Sequence, residues 1–369
     1  MLRPETGVHR HVPHRIATMP ISRPDRHVRM PESTPSSTTT ATVIIPAFTM
    51  LRWDLLSDAV ASVESQTRPP TELILCIDHN PELLEKCVGT WGSAPSPAGF
   101  PIHVVANRFE QDESGAGAHV KAHGSKRRFG AGWARNTGAE IARGSVLVFL
   151  DDDASAEPDW LEHLLAPYDD EGTVAVGGAP LPRYETGRPR WFPANFDWVF
   201  GCAYEGMPTE LGPLAHLIGA NMSVRREAFE EIGGFHSIDF DDLDLCMRLA
   251  AHFPDRRLLY EPRAIVHHYV PAQRVAWRYF WRRCFFVNRE KVEAFSDMGE
   301  AANIRAELEF VRRAFTRQLS ANLTAAGRGE WIGLARAGAM IVGTFMAGCG
   351  HVAGRLQMIL HPSRGRDVA

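Results

Sequence analysis

Ser145-Val146-Leu147-Val148-Phe149-Leu150 runs straight into Asp151-Asp152-Asp153, so a buried strand ends abruptly in concentrated negative charge. In an open α/β sheet, ligands bind just beyond the carboxyl ends of the strands. Carboxylates placed there suit Mg²⁺ or Mn²⁺, which in turn suit diphosphates. A solvated acidic turn or a helix start is the other reading of the triplet, because Asp is a common N-cap.

Working outward, the same strand grammar recurs. Ala41-Thr42-Val43-Ile44-Ile45-Pro46 is a β-branched strand stopped by proline, and Leu51 to Gln66 carries apolar residues at helical spacing. Leu73-Ile74-Leu75-Cys76-Ile77 is a second buried strand, ending at Asp78. Leu83 to Trp91 reads as a helix, Ile102 to Val105 as a third strand, and Ala131 to Ala142 as the helix feeding the strand before the triplet. Alternating strands and helices predict a Rossmann-like, mostly parallel α/β sheet flanked by helices. Asp78 and the triplet then fall on one edge of it. Pro158-Asp159-Trp160-Leu161 starts a further helix, and Val174-Ala175-Val176-Gly177-Gly178 reads as a short strand with a glycine turn.

The chain has 369 residues, 44% of them hydrophobic, and a formal net charge of −4. That composition allows a large core and argues against nucleic acid as a partner. Six dispersed cysteines, with no close pair at zinc-ligand spacing, read as reduced cytosolic thiols in the core. Residues 1–40, rich in Arg, His, Pro, Ser and Thr, read as a disordered tail. Glu110 to Gly130, with the cluster Lys126-Arg127-Arg128, reads as a long loop with little to bury. Its basic cluster either steers an anion or is a solvated surface run.

Taken together, the motifs resemble a family. Val43-Ile44-Ile45-Pro46-Ala47-Phe48, Asp78, Ala134-Arg135-Asn136-Thr137-Gly138 and Phe149 to Asp153 occur in order. They are followed by Gly219-Ala220-Asn221-Met222-Ser223, Ile232-Gly233-Gly234-Phe235, Asp241-Asp242-Leu243-Asp244-Leu245 and Val266-His267-His268. This set is similar to family 2 inverting glycosyltransferases of the GT-A fold, over about residues 41–290.

The resemblance implies a nucleotide-sugar donor, with the backbone near Pro46, Asp78 and Asn80 at its base and ribose. It implies Arg135 and Asn136 near the diphosphate, where a guanidinium can pair phosphate oxygens. Asp151 and Asp152 would face the ribose and the sugar, and Asp153 would hold the metal. His268 would complete the metal site, with His267 as the alternative, since only one of two adjacent strand residues faces a site. Inversion requires a base opposite the leaving nucleotide. Asp242 matches it and Asp241 is the next candidate, both at the positive end of a helix dipole. For each carboxylate, a cap or helix-start role is the alternative.

The stretch from Gly177-Gly178 through Pro189-Arg190-Trp191-Phe192-Pro193 to Phe196-Asp197-Trp198 resembles the branch that includes glucuronosyltransferases acting on polyprenyl-phosphate-linked glucose. That likeness implies a lipid-linked acceptor, a polysaccharide acceptor being the broader expectation. The aromatic residues here serve either core packing or acceptor contact. Trp277 to Phe286 mixes aromatics with arginines, as at a membrane boundary. The uncharged stretch Ala337 to Gly350 is shorter than the ~20 residues a span needs. Residues 291–369 are therefore expected to form a helical extension, attached peripherally to the cytoplasmic face of the cell membrane, with an ordinary helical appendage as the other reading. Other functional readings are a nucleotidyltransferase, disfavoured because Pro46-Ala47-Phe48-Thr49 replaces a glycine-rich phosphate loop, and a non-catalytic sugar-nucleotide or glycan-binding protein.

Overall fold

The computed structural model describes residues 39–93, 95–108, 130–236, 240–297 and 304–360. The N-terminal tail up to residue 38 and the loop carrying Lys126-Arg127-Arg128 lie outside the described residues.

The elements in chain order begin with β1 (Ala41–Ala47), α1 (Trp53–Glu64), β2 (Glu72–Ile77), α2 (Pro81–Trp91), β3 (Ile102–Ala106), α3 (Ala131–Ile141) and β4 (Val146–Leu150). They continue with β5 (Ala154–Ala156), α4 (Trp160–Leu165), β6 (Thr173–Tyr184), β7 (Gly212–Pro213), β8 (Asn221–Arg225), α5 (Arg226–Glu231), α6 (Asp241–His252) and β9 (Arg257–Val270). Three long helices end the chain: α7 (Trp277–Asp297), α8 (Ile304–Gly327) and α9 (Ile332–Leu360).

The sheet order is β3-β2-β1-β4-β8-β6-β9-β5, with β7 on β9. The first four strands are parallel, as the βα alternation predicts. Beyond β4 the sheet turns mixed: β8 is antiparallel to β4 and β6, β9 is parallel to β6, and β5 and β7 are antiparallel to β9. Leu150 of β4 pairs with Asn221 of β8, so the residues just after the first strand and just before the second meet at one edge.

Alternation along the strands builds two cores. Val43, Ile45, Leu73, Leu75, Val146 and Val148 face α1, α2 and α4, packing with Leu56, Val60, Leu83 and Trp160. Ile44, Ile74, Leu147, Phe149 and Met222 face the other way, toward Ala134 of α3, Phe229 of α5 and Leu245 of α6. Burial on both faces is why β1, β2 and β4 read as continuous apolar runs.

Gly177-Gly178 does not form a turn. Both residues lie inside the twelve-residue strand β6, where an irregularity in its pairing with β9 falls between Gly177 and Ala179. Close approach explains the glycine: a Cβ on residue 178 would sit 2.2 Å from the Ala264 carbonyl oxygen and 2.4 Å from Asn221 Nδ2. Asn221 itself donates to the Ala264 carbonyl and accepts from Trp160 Nε1, both at 2.8 Å. Gly178→Ala is therefore expected to destabilise the protein by ~1–3 kcal/mol, read as a lower urea midpoint with unchanged slope.

The aromatic segment is core. Phe192, Phe196 and Phe200 are buried together with Val270, Phe280 of α7 and Met340 of α9. Phe280 meets Trp191, Phe192 and Phe196 at ring-centroid distances of 5.6, 5.5 and 5.4 Å. Asp197, in the same segment, accepts from Tyr184 Oη at 2.6 Å and from Arg188 at 2.5 and 3.0 Å, which satisfies a carboxylate buried under those rings.

The C-terminal helices differ from expectation in length. Residues 337–350 are the middle of α9, whose 29 residues are long and apolar enough to cross a membrane by length and composition. Arg336 and Arg355 flank that middle without ending the helix. Helix α7 runs across residue 290, so the expected domain boundary falls inside a helix.

Candidate active site

Two clusters stand at the carboxyl edge of the parallel strands. At the end of β2, the Asp78 carboxylate accepts from Asn107 Nδ2 at 2.7 Å and from the Gly130 N–H at 2.8 Å, and lies 2.5 Å from His79 Nδ1. Asn80 caps α2, accepting from the Leu83 N–H at 2.9 Å, and ties that cap to β1 by donating to the Phe48 carbonyl at 3.0 Å. Pro46 is buried in β1 opposite Cys76, and the next carbonyl, of Ala47, accepts from the Asp78 N–H at 2.7 Å.

The second cluster follows β4. Asp152 and Asp153 are buried, and Arg52 reaches both, with Nη1 2.7 Å from Asp152 Oδ1 and 3.1 Å from Asp153 Oδ2. Arg52 ends the short 3-10 turn after β1, which Thr49 caps through the Leu51 N–H. Sequence reading passed over it; the available signal was its place beyond the end of a strand that pairs directly with β4. Asp152 Oδ2 is buried without a hydrogen-bond partner among the described residues. Burial pushes the Asp152 carboxyl up to about 7, against the pull of Arg52 and with a further push from Asp153.

Strand pairing decides between the two histidines. His268 lies opposite Ala154 in the β5·β9 register, which sets it beside the triplet, and the Tyr269 N–H donates to the Asp153 carbonyl at 2.8 Å. His268 Nε2 is 3.1 Å from Asp153 Oδ1, and its Nδ1 is 3.4 Å from Cys202 Sγ. His267 points to the opposite face, 2.5 Å from Glu157 Oε1. Burial opposes the charged imidazole, but Asp153 and Cys202 outweigh it and hold the His268 pKa well above its ordinary value. Burial likewise acts to raise Asp153, and His268, Arg52 and Arg274 together bring it below the usual carboxylate range.

Ligand atoms of Asp151, Asp153 and His268 all lie within 4.8 Å of one another, so this group could hold a metal ion. Two carboxylates and an imidazole are a donor set that fits Mn²⁺ or Mg²⁺.

Arg135 and Asn136 make contacts that the sequence did not indicate. Arg135 of α3 is 3% exposed and spends its guanidinium on carboxylates: Nη2 is 2.6 Å from Asp151 Oδ1, and Nη1 is 2.7 Å from Asp241 Oδ2. It is a strut between the triplet and α6, its charge paired with a carboxylate on each side. Asn136 is a latch. Its Nδ2 donates to the Phe235 carbonyl at 2.8 Å and its Oδ1 accepts the Phe235 N–H at 2.9 Å, so both ends of the amide are committed to backbone.

Asp241 and Asp242 open α6 after Phe240, whose φ is +56°. His79, at φ +50°, is the other non-glycine residue with positive φ among the described residues. Each of these strained positions directly adjoins a candidate carboxylate, Asp78 or Asp241. Asp242 Oδ2 accepts from the Gly219 N–H at 2.9 Å, while the carbonyl of the same Gly219 accepts from Arg135 Nη2 at 3.3 Å. His216 Nε2, another residue not singled out in the sequence, lies 3.4 Å from Asp242 Oδ1. The two carboxylates are driven apart. Burial raises Asp241, only partly countered by Arg135; burial also acts on Asp242, but His216 and the Gly219 and Leu243 N–H groups lower it overall.

Residues 103–233, which span β3 through β4 and β8, match the model of glycosyl transferase family 2. The chain carries a family 2 glycosyltransferase domain. Over 255 residues this transferase is 28% identical to the glucosyl-dolichyl phosphate glucuronosyltransferase of Haloferax volcanii, a match covering 65% of this chain and 74% of that protein. It is 27% identical over 158 residues to the succinoglycan biosynthesis protein ExoM of Rhizobium meliloti, spanning 48% of that relative's length. Among solved structures, the mannosyltransferase of Pyrobaculum calidifontis in complex with GDP-Man and Mn²⁺ superposes with a TM-score of 0.50 at 16% identity. That match covers 88% of this chain and 76% of the other, and the shared fold is GT-A. The glycosyltransferase therefore has the fold class that its strand order and motifs predict.

Proposed function

We propose that the protein is a metal-dependent, inverting glycosyltransferase that moves a sugar from a nucleotide-sugar donor to a hydroxyl of a lipid-linked acceptor. The observation that carries this reading is the strut made by Arg135, which joins the candidate metal group at Asp151 to the candidate base pair at Asp241-Asp242. A metal group alone suits many proteins, whereas a carboxylate pair fixed to it offers the base that inverting transfer to a hydroxyl needs. The nearness in sequence to a glucosyl-dolichyl phosphate glucuronosyltransferase supports the acceptor class.

In this mechanism Asp78 and the backbone beside Pro46 hold the base and ribose of the donor. Asp153 and His268, with Asp151, hold a divalent cation, which when bound supplies electrostatic stabilisation of the departing diphosphate. Asp242 takes the proton from the acceptor hydroxyl as its oxygen bonds to the anomeric carbon and the bond from that carbon to the diphosphate breaks. Attack from the face opposite the leaving group inverts the configuration. Asp152, whose carboxyl pKa is pushed upward by burial, lines the sugar pocket.

We further propose that residues 41–290 make up the transfer unit and residues 291–369 an extension that rests on the inner face of the cell membrane. Helix α7 belongs to both.

Calorimetric titration with UDP, GDP and dTDP, with and without Mn²⁺, tests the donor reading. Binding of one nucleotide that needs both Mn²⁺ and Asp153, and is lost in Asp153→Ala, is the expected result. In the same assay, His268→Ala is expected to weaken Mn²⁺-supported nucleotide binding by ~10-fold or more, a typical cost of perturbing a metal site. His267→Ala should leave it unchanged, since His267 turns toward Glu157. Equal effects from the two variants would remove His268 from the metal site.

A further inference from the structure

Helix α7 opens a groove that the transfer chemistry does not use. It has a volume of about 590 Å³, and its lining includes Arg278, Arg282, Arg283, Tyr279, Phe286 and Glu290. The three arginines are exposed on consecutive turns, and among the described residues none of them ion-pairs with a carboxylate. Arg282 lies over the Phe286 ring at 5.5 Å, and Glu290 is 3.6 Å from Arg289. Like charges one helical turn apart repel by a few tenths of a kcal/mol per pair. An anion in the groove would offset that repulsion, and the rings of Tyr279 and Phe286 would take an apolar group attached to it.

A short chain of contacts runs from the groove toward the candidate metal group. Tyr279 stacks on Phe200 at 6.2 Å with an interplanar angle of 15°. The residue after Phe200 is Gly201, where a Cβ would lie 3.8 Å from the His268 ring. Arg274, in the turn that leads into α7, is close enough for its charge to act on Asp153.

Helix α9 supplies the surface on which such a ligand would travel. Leu334, Ile341, Phe345, Val352, Leu356 and Ile359 are exposed and recur at helical spacing along one face. The opposite face is pressed onto α7, where a Cβ on Gly350 would meet the Phe285 carbonyl oxygen at 2.0 Å and one on Gly354 the Arg289 carbonyl oxygen at 2.5 Å. Because α7, packed against it, carries exposed arginines, a path for α9 across a bilayer would drag those charges into hydrocarbon. Lying in the interface with its apolar face down carries no such cost.

We propose that the α7 groove holds the phosphate of the lipid-linked acceptor, a phosphate ester on an apolar chain, while the outer face of α9 lies in the bilayer that delivers it. This rests on the acceptor reading above and adds where the acceptor is held. Arginine is suited to the task because its planar fork pairs phosphate oxygens two at a time.

The test uses the full-length chain and farnesyl phosphate as the probe, with nucleotide binding in the presence of Mn²⁺ as the control for fold and donor site. The double variant R282Q/R283Q, and R278Q separately, should bind farnesyl phosphate at least ~10-fold more weakly, as loss of charge-assisted hydrogen bonds predicts, with nucleotide binding unchanged. Parent-level binding in both variants would overturn the groove assignment while leaving the acceptor class standing. Failure of the parent itself to bind farnesyl phosphate, with nucleotide still bound, would remove the lipid-linked acceptor and the groove together. Inorganic phosphate, or phosphatidylglycerol vesicles at equal phosphate concentration, binding as tightly as the probe would also overturn the proposal. That result would make the groove a general anion or membrane contact.

Discussion

Asp242→Asn should lower sugar transfer by about 10² to 10⁴-fold, the range for loss of a general base, while nucleotide binding in the presence of Mn²⁺ stays at the parent level. The amide keeps the shape of the side chain and can still accept from the Gly219 N–H, which holds Oδ2 at 2.9 Å. What it loses is the ability to take a proton and, because an amide has one oxygen, the acceptor that the Leu243 N–H uses at 2.7 Å. Steady-state rates with a lipid-linked acceptor, measured beside calorimetric nucleotide binding, separate the two effects. Unchanged turnover would remove Asp242 from the base role.

The Asp241→Asn variant sharpens the choice between neighbours. Burial raises Asp241 above the usual carboxylate range, whereas His216 and two N–H groups bring Asp242 below it despite its burial. If Asp242 is the base, its loss of function on acidification lies well below pH 4, the ordinary carboxylate value being ~4. An acidic limb of kcat above that value that disappears in Asp241→Asn would instead assign the base to Asp241.

Arg135→Met should be the most destabilising substitution at the site. It removes a 3% exposed cation from between Asp151 and Asp241 and leaves two carboxylates facing each other without it. Removing one partner from a buried ion pair costs roughly 3–5 kcal/mol, and the unbalanced charge remains. Urea unfolding should show an unfolding free energy lower by that amount, read as a lower midpoint. The double variant Arg135→Met with Asp241→Asn should recover part of the loss, because one of the stranded charges is gone. A loss below ~1 kcal/mol would mean that Arg135 behaves like a surface pair and that the strut carries little.

These two residues also mark the limit of what the sequence could reveal. The strands around Val43 to Ile45, Leu73 to Ile77 and Val146 to Leu150 were legible because burial on both faces leaves unbroken apolar runs. The carboxylates were legible because they end those runs. Arg135 carried its residue type but not its partners, since Asp241 is 106 positions away and is brought close only by the fold. Asn136 is the same case, with Phe235 at a separation of 99. Gly177-Gly178 read as a turn because glycine has two uses, positive φ and close approach, and the sequence does not say which. For His267 and His268, alternation established that one of them faces the site, and the β5·β9 register supplied the missing parity.

Asp151, Asp153, Asp241 and Asp242 stand against Arg52, Arg135 and His268, with Arg274 acting on Asp153, and Asp152 adds further negative charge as it ionises. For the nucleoside diphosphate of the proposed reaction this cluster of carboxylates would oppose binding, since the donor brings negative charge of its own. On the proposed function, a donor that arrives as its cation complex would meet less repulsion here than the bare nucleotide, which would couple substrate capture to divalent-ion supply.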